Sequence, residues 1–232
     1  QDIEIRYRQR YLDLIVTPDT RRVFEARSRT LAAIREFLNV RGYLEVETPV
    51  LQLTNGGAAA RPFRTHLNAF DQPMLLRIAL ELDLKKAMIG GVDRVYEIGR
   101  TFRNEGLDST HAAEFSMLEA YQAYGDYNQM ADLTQELVQK AALAVSGSLE
   151  VTWADGTVYD LGGEWDRISM YDSLNEASGL KVTPQTPVDE LLAHAATLDI
   201  EVALPLVPSV IVRMLLTGEL RAGTGQMLLL VG

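Results

Sequence analysis

The chain has 232 residues, of which 47% are hydrophobic and 23% are charged, a composition typical of a globular protein with a sizeable core. It contains no cysteine, which excludes disulfides, thiolate catalysis and cysteine-ligated zinc. No apolar run approaches the roughly 20 residues that a membrane-spanning helix needs, and residues 1–10 carry no hydrophobic signal region. We therefore expect a cytoplasmic protein without a membrane partner.

The net charge of −10 is unevenly distributed along the chain. Residues 1–110 carry 17 basic and 15 acidic side chains, whereas residues 111–232 carry 5 and 17. An acidic surface repels the phosphate backbone, so non-specific nucleic-acid binding by the second part is disfavoured. The arginines within residues 6–22 either meet a polyanion or form an ordinary solvated surface, and the charge pattern leaves both readings open.

The first predicted elements are a long helix and a strand that ends at a proline. Residues 17–19, Thr-Pro-Asp, are a typical helix start. Apolar residues then recur with helical spacing until Gly42, which predicts the end of the helix. A strand is predicted over residues 43–46, and it leads into Pro49.

A loop and a short helix come next. Residues 54–63, TNGGAAARPF, have small side chains that allow the backbone to approach a ligand closely. Their spacing matches neither a P-loop nor a dinucleotide-binding fingerprint. The pattern then predicts a helix over residues 77–88, in which Glu81 and Lys85 pair one turn apart.

The most informative stretch is residues 94–124, which predicts two strands around a loop longer than a usual hairpin turn. Strict alternation gives each strand a polar face. These faces carry Val95, Glu97, Gly99, Thr101 and Arg103 in the first strand, and Phe115, Met117, Glu119, Tyr121 and Ala123 in the second. If the two faces coincide, one surface suits a phosphate, an ammonium group and a flat base.

Each of these side chains also has a purely structural interpretation. Arg103 either clamps a phosphate or forms a salt bridge at the strand edge. A carboxylate in a pocket needs a cationic partner, and for Glu119 this is either a protein arginine or a ligand amine. Glu97 offers a second negative charge nearby, and Phe115 either stacks on a base or packs in the core.

The remaining predicted elements contain no chemical constellation. They are a helix from Asp126 to Gly147, a hairpin over residues 151–161, and two short helices that begin at Ser169 and Thr186. His66, His111 and His194 lack the paired spacing that is typical of a metal site.

Four segments stand out together: GYLEVETPVL (42–51), GGAAARPF (56–63), FRNEG (102–106) and HAAEFSMLEAYQAY (111–124). In combination they resemble the class II lysyl-tRNA synthetases, with similarity from about residue 6 to 142 and more loosely to about residue 200. The resemblance implies an α+β fold with an antiparallel sheet flanked by helices. It implies one catalytic domain over residues 1–232, in which residues 201–232 are divergent or incomplete.

The resemblance also implies roles for individual residues. The helix and strand ending at Pro49 are similar to the family's motif 1, which implies a homodimer through residues 20–50. Residues 102–124 are similar to motif 2, which holds ATP. The implied ATP contacts are Arg103 at the α-phosphate, Glu105 and His111 near the nucleotide, and Phe115 on adenine. The implied amino-acid contacts are Gly57 and Glu81 at the α-amino group, and Glu119 and Tyr121 at the lysine side-chain ammonium.

The implied activity is that of an aminoacyl-tRNA ligase. Lysine is activated by ATP to lysyl-adenylate and then transferred to tRNA(Lys), with Mg²⁺ neutralising the phosphates. Arg103 is the implied catalytic residue. The segment TGELRAGTGQ (217–226) resembles a family strand with metal- and lysine-binding acids, which makes Glu219 the candidate metal ligand.

Three features depart from the family pattern. Leu80 and Asp83 replace a proline and a tyrosine beside Glu81, so we expect an altered amino-acid site. The chain begins beyond the family's anticodon-binding domain, and the glycine-rich motif 3 with its arginine is not recognisable. These departures leave two alternatives to a tRNA ligase: a paralogue that loads lysine onto another acceptor, and a non-catalytic binding protein.

Overall fold

The computed structural model describes residues 2–108, 110–153, 155–197 and 230–231. The chain divides into two compact units, one formed by residues 1–125 and 136–161, the other by residues 126–135 and 162–232. Both contain helices and short strands, so the expected mixture of α and β structure is observed. That the chain works as one catalytic domain stays a prediction.

Three helices begin the first unit: α1 (Ile3–Arg8), α2 (Arg10–Val16) and α3 (Pro18–Val40). The first residue of α3 is a proline, at a position where the missing N–H group would have no partner within the helix. Gly42 follows the helix with a φ of +79°, a left-handed conformation that favours glycine. The predicted start and end of α3 are therefore confirmed.

Asp13 joins these three helices through its buried carboxylate. Its oxygens accept hydrogen bonds from Arg6 Nε at 2.7 Å, Arg10 Nη1 at 2.6 Å and Thr20 Oγ1 at 3.0 Å. The hydrogen bond from Arg6 is the main reason that the pKa of Asp13 lies well below its usual range. Arg6 thus links α1 to α2 and, through the Thr20 hydroxyl, to α3, whereas Arg10 pairs with Asp13 within α2. For these two arginines this favours the structural reading of the basic N-terminal segment.

The rest of the first unit contains six strands and one short helix before residue 126. In chain order they are β1 (Leu44–Glu45), β2 (Leu51–Gln52), β3 (Arg64–Leu67), a 3₁₀ turn (Asn68–Phe70), β4 (Gln72–Leu76), α4 (Glu81–Ile89), β5 (Arg94–Phe102) and β6 (Glu114–Gln122). β2, β4 and β3 form an antiparallel sheet.

The second three-stranded sheet has the order β1-β5-β6 and is mixed. β5 and β6 are antiparallel, whereas β1 and β5 are parallel. The expectation of a purely antiparallel sheet is thus correct only for part of the structure. The reason is that the chain between β1 and β5 crosses over through α4, and a crossover returns it in the original direction.

α4 begins four residues later than the sequence pattern predicts. Arg77 cannot start the helix because its backbone pairs with two neighbouring segments, donating to the carbonyl of Val50 at 3.0 Å and accepting from Phe102 N–H at 2.9 Å. α4 packs on the strand pair through a buried cluster of Leu80, Leu84 and Val95. This packing places the first turn of α4 beside the polar face of β6.

The remaining predicted elements are present: α5 (Tyr127–Ser146), the hairpin of β7 (Glu150–Thr152) and β8 (Val158–Asp160), and, after β9 (Ile168–Ser169), the helices α6 (Met170–Ser178) and α7 (Val188–Thr197). β9 and β10 (Leu230–Val231), which pair in parallel, were not predicted from the sequence. The carboxylate of Asp126 accepts from Gln129 N–H at 2.9 Å and caps α5 as expected. In the second unit, Leu174, Leu191 and their neighbours form a separate core.

Within the described part of the chain, no helix is both long and apolar enough to cross a membrane.

Candidate active site

The two polar faces predicted for the strand pair lie on the same side of the sheet. Glu97 stands opposite Glu119, Val95 opposite Tyr121, and Thr101 opposite Phe115. Directly opposite residues of an antiparallel pair point to the same side. The coincidence of the two polar faces is therefore confirmed.

Glu119 is held by two neutral donors. Leu80 N–H donates to Oε1 at 2.9 Å, and the Tyr121 hydroxyl donates to Oε2 at 2.8 Å. Burial raises the pKa of Tyr121, and the hydrogen bond to Glu119 raises it further, so the phenol remains a donor. Among the described residues, no lysine or arginine forms an ion pair with Glu119, although a buried or half-buried carboxylate needs a cationic partner.

Glu97 pairs with an arginine of the protein, although its position on the polar face suggested a contact with a ligand. Its Oε1 lies 2.7 Å from Arg77 Nη1, and both side chains are at least 95% buried. Its Oε2 accepts from the N–H of Thr48 at 3.1 Å and from its hydroxyl at 2.6 Å. The suggestion that Glu97 is a second charge for a ligand is therefore wrong, because a protein arginine already pairs with it.

Gly99 allows this buried ion pair to form on the strand face. A Cβ atom at Gly99 would lie 2.3 Å from Arg77 Nη2 and 2.8 Å from Glu97 Oε1. A glycine inside a strand often marks such a close approach, and this signal was present in the sequence. The sequence pattern nevertheless predicts a helix at Arg77 and gives no sign that this side chain pairs with Glu97.

Gly57 and Glu81 are neighbours, as the resemblance implies. Gly57 has a φ of +83°, and a Cβ atom there would lie 2.9 Å from Glu81 Cβ. The predicted pair between Glu81 and Lys85 is present, with Lys85 Nζ 2.5 Å from Glu81 Oε1. The pKa of Tyr121 is raised mainly by burial, then by Glu119, and to a smaller extent by the negative charge of Glu81. Gly57, Glu81 and the Glu119–Tyr121 pair thus share one region.

Arg103 lies one residue beyond β5, and its guanidinium faces an aromatic ring. The guanidinium carbon is 5.2 Å from the centre of the Phe115 ring, and Nε donates to the carbonyl of Ile78 at 3.4 Å. No carboxylate of the described residues forms an ion pair with Arg103, so the edge salt bridge is not observed there. Phe115 is half-buried rather than part of a core, which leaves both groups accessible to a ligand.

The two remaining ATP candidates lie in the loop between β5 and β6. Glu105 Oε1 accepts from Arg61 N–H at 3.2 Å, and Asn104 N–H donates to the carbonyl of Arg61 at 2.7 Å. These contacts join the loop to the small-residue segment 54–63. His111 is exposed, and its Nδ1 lies 2.8 Å from Asp108. The structure therefore brings Glu105 to the site but leaves His111 with partners in its own loop.

Glu219, the candidate metal ligand, lies outside the described residues. Within them, no group of three or more histidine, aspartate and glutamate side chains is arranged to hold a metal ion. Mg²⁺ stays a prediction of the resemblance.

The two unusual residues beside Glu81 have clear structural roles. Leu80 is 1% exposed, and its N–H group, which a proline would lack, binds Glu119. Asp83 accepts hydrogen bonds from Gln52 and Lys86, both at 2.8 Å. Burial alone would raise the pKa of Asp83, but the hydrogen bonds from Lys86 and Gln52 outweigh it and lower the pKa. The Leu80 contact was not foreseen from the sequence.

A cavity of about 480 Å³ lies at the opposite end of the strand pair. It is lined by Gly42, Leu44, Val92, Asp93, Arg94, Gln122, Ala123 and Tyr124. None of the candidate ATP or amino-acid residues lines it, so this cavity is separate from the candidate site.

Comparison with known proteins identifies relatives of the chain. A sequence model of the tRNA synthetases class II (D, K and N) matches residues 2–202. A lysine--tRNA ligase of Kineococcus radiotolerans is 55% identical over 199 residues, which are 86% of this chain and 40% of that protein. One of Mycolicibacterium gilvum is 54% identical over 199 residues, with the same shares. One of Prochlorococcus marinus is 52% identical over 179 residues, 77% of this chain and 36% of that protein.

The similarity covers both halves of the candidate site, because the matched residues 2–202 include the strand pair and α4. The chain spans about 40% of the length of the curated relatives it matches. The resemblance seen in four short segments is therefore confirmed over most of the chain.

Proposed function

We propose that this chain, which belongs to the class II tRNA synthetase family, activates lysine with ATP and belongs to a protein that charges tRNA(Lys). The observation that carries the proposal is Glu119, a half-buried carboxylate that receives only neutral donors, from Leu80 and Tyr121. Such a group is stabilised by a cation. The relatives named lysine--tRNA ligase support lysine as the source of that cation.

In this proposal the amino acid lies between the first turn of α4 and the polar face of β6. Glu119 and Tyr121 receive the side-chain ammonium, because the fixed phenol orients the carboxylate and leaves lone pairs for further donors. Glu81 and the backbone at Gly57 hold the α-amino group. The glycine is needed at this position, since a side chain would displace Glu81.

ATP lies at the other end of the same face, at the mouth of the loop. Arg103 contacts the α-phosphate, since a guanidinium without a carboxylate partner can form a bidentate fork with phosphate oxygens. Phe115, beside Arg103, offers its ring to adenine. Glu105 lies near the nucleotide and anchors the loop at Arg61, and the resemblance places His111 near the nucleotide as well.

The chemistry needs positioning and charge stabilisation more than acid–base catalysis. A carboxylate oxygen of lysine attacks the α-phosphorus, the bond to the bridging oxygen of the β-phosphate breaks, and pyrophosphate leaves. Arg103 stabilises the negative charge that develops on the α-phosphate oxygens. In the second step a ribose hydroxyl of tRNA attacks the carbonyl carbon of lysyl-adenylate, takes the lysyl group and releases AMP. The proposal assigns this reaction to the cytoplasm.

A homodimer through residues 20–50 is part of the proposal. Several large apolar side chains of this segment are exposed, with Val23 at 66%, Phe24 at 52% and Val40 at 80%. Contact with a second copy of the chain would remove these apolar side chains from water, which supports this part of the proposal. Sedimentation at micromolar concentration tests the dimer, and a monomer would contradict it.

The direct test of the function is lysine-dependent exchange between ATP and pyrophosphate. We expect exchange by the intact protein, and a higher KM for lysine in Glu119→Gln with an unchanged KM for ATP. Loss of a hydrogen bond to a charged group is worth about 2 kcal/mol, or about a 30-fold higher KM. The expected change is confined to lysine because, among the described residues, Glu119 bonds with Leu80 and Tyr121 rather than with the proposed ATP contacts Arg103 and Phe115.

Glu114→Gln is the matched control. Glu114 lies on the same strand, is exposed, and pairs with Arg100 at 3.7 Å, so its substitution leaves both KM values unchanged. Absence of exchange by folded protein would refute lysine activation. Exchange without charging of tRNA(Lys) would refute the acceptor only.

A further inference from the structure

Lys85 places a primary ammonium group inside the region proposed for the amino acid. Its Nζ lies 2.5 Å from Glu81 Oε1 and 6.0 Å from the centre of the Tyr121 ring. The side chain of Lys85 is 54% exposed, and that of Glu81 is 30% exposed. In this structure, the carboxylate proposed for the substrate's α-ammonium thus already holds an ammonium of the protein.

The charges of this region show why the contact matters. Glu81 and Glu119 contribute two negative charges, and Lys85 is the cation that contacts one of them. Lysine as a substrate brings two ammonium groups, one for each carboxylate. If Lys85 stayed in place, two ammonium groups would share Glu81, and like charges at such short range repel each other.

The Glu81–Lys85 contact is weak enough to be exchanged. It joins residues four apart on a helix surface, and its lysine is more than half exposed. Lysine carries its charge on a flexible four-carbon stem. Lys85 can therefore turn towards water without any movement of the α4 backbone or of the buried Leu80–Leu84 cluster.

We propose that Lys85 is an internal competitor of the substrate's α-ammonium at Glu81, which keeps the empty site partly neutralised and weakens lysine binding. This inference rests on the proposed function, since it takes lysine as the ligand and Glu81 as its α-amino contact. Lys85 forms its ion pair with Glu81, whereas it reaches the proposed side-chain ammonium site only at the ring of Tyr121, 6.0 Å away. We therefore expect its effect on ligands that carry an α-amino group.

The test measures binding of lysine and of 6-aminohexanoate, which has the same side-chain ammonium and carboxylate but no α-amino group. Calorimetry on the intact protein gives Kd for lysine, and competition against lysine gives the constant for 6-aminohexanoate. For Lys85→Met and Lys85→Gln we expect about two- to fourfold tighter lysine binding, the range set by a helix-surface pair of this kind. Binding of 6-aminohexanoate stays unchanged.

Two controls separate competition from a general effect of charge or structure. Lys85→Arg keeps the cation and retains the original affinity for lysine. Lys86→Met removes the next lysine, which pairs with Asp83 at 2.8 Å, and leaves the affinity for lysine unchanged. A general loss of positive charge would strengthen 6-aminohexanoate binding as well.

The outcomes distinguish this inference from the proposed function. Equal or weaker lysine binding by both Lys85→Met and Lys85→Gln overturns the competition, and so does an equal gain for 6-aminohexanoate. If the unsubstituted protein binds lysine in these cases, the proposed function stands. Failure of the unsubstituted protein to bind lysine overturns both.

Discussion

The buried ion pair between Arg77 and Glu97 is expected to hold the candidate site together, and Arg77→Met tests this. Arg77 connects three segments: its Nη1 contacts Glu97 at 2.7 Å and the Thr48 carbonyl at 2.9 Å, and its Nε donates to the Arg100 carbonyl at 2.8 Å. Methionine retains much of the apolar stem but none of the donors. The substitution therefore leaves a buried carboxylate without its cation.

The size of the effect follows from the burial of the pair, with side-chain exposures of 5% and 3%. Removing one partner of a buried pair costs about 3–5 kcal/mol because the other charge remains uncompensated. The carbonyls of Thr48 and Arg100 also lose a donor, which favours the upper part of this range. For a chain of this size, each kcal/mol lowers Tm by about 2–4 °C, so a loss of about 4–5 kcal/mol corresponds to a decrease of about 8–20 °C.

Thermal unfolding followed by circular dichroism measures this change, and Arg100→Met is the control. Arg100 lies on the same strand, but it is 55% exposed and its contact with Glu114 is 3.7 Å long. An exposed pair contributes about 0–1 kcal/mol, so Arg100→Met should lower Tm by at most about 4 °C.

The double variant Arg77→Met/Glu97→Gln examines the physical cause. Removing the stranded charge should recover at least about 1 kcal/mol relative to Arg77→Met alone. The reasoning is refuted if Arg77→Met is no less stable than Arg100→Met. A double variant as unstable as Arg77→Met would show that lost packing, rather than the unpaired charge of Glu97, causes the effect.

Two further predictions concern a glycine and a buried carboxylate. Gly57→Ala should raise the KM for lysine in pyrophosphate exchange about tenfold, because the new Cβ would lie 2.9 Å from Glu81 Cβ. The control is Gly91→Ala, since Gly91 also has a positive φ, +96°, but open space around it; this variant should leave the KM for lysine unchanged. Equal effects of the two variants on this KM would contradict a clash with Glu81. Asp13 has a lowered pKa through Arg6, so its carboxylate stabilises the fold fully above its unfolded pKa of about 3.9 and less as pH falls towards the lower folded pKa. Urea unfolding should therefore give a lower free energy of unfolding for Asp13→Asn than for the unsubstituted chain at pH 7, and this difference should narrow only below about pH 4. The same difference in unfolding free energy at pH 3 and pH 7 would rule this out.

Much of the fold could be predicted because its signals are local. The start of α3 depends on Pro18 and its end on Gly42, and both act through backbone conformation alone. The strand pair could be predicted from alternation, as could the loop between its strands. The sheet order could not, because the parallel pairing of β1 with β5 depends on the path that the chain takes through α4.

The same division applies to the candidate site. Alternation placed Glu97 and Glu119 on one face, and the sequence alone could not tell them apart. Their surroundings differ in the described part of the chain. The side chain of Arg77, 20 residues before Glu97, packs against Gly99 and pairs with Glu97. Glu119 instead accepts hydrogen bonds from the N–H of Leu80 and the phenol of Tyr121. Partners that lie far apart in the chain leave no periodic pattern in it.

The sequence by itself determined the family, most of the helices and strands, and the set of polar residues on the strand pair. Local backbone preferences and side-chain alternation are sufficient for these. Only the tertiary structure decided which carboxylate pairs with an arginine and which receives neutral donors from the described residues, since burial and charge pairing arise when distant segments pack together. The contact of Lys85 with Glu81 combines both: helical spacing predicts it, and the packing of α4 against β6 places it in the lysine site proposed here.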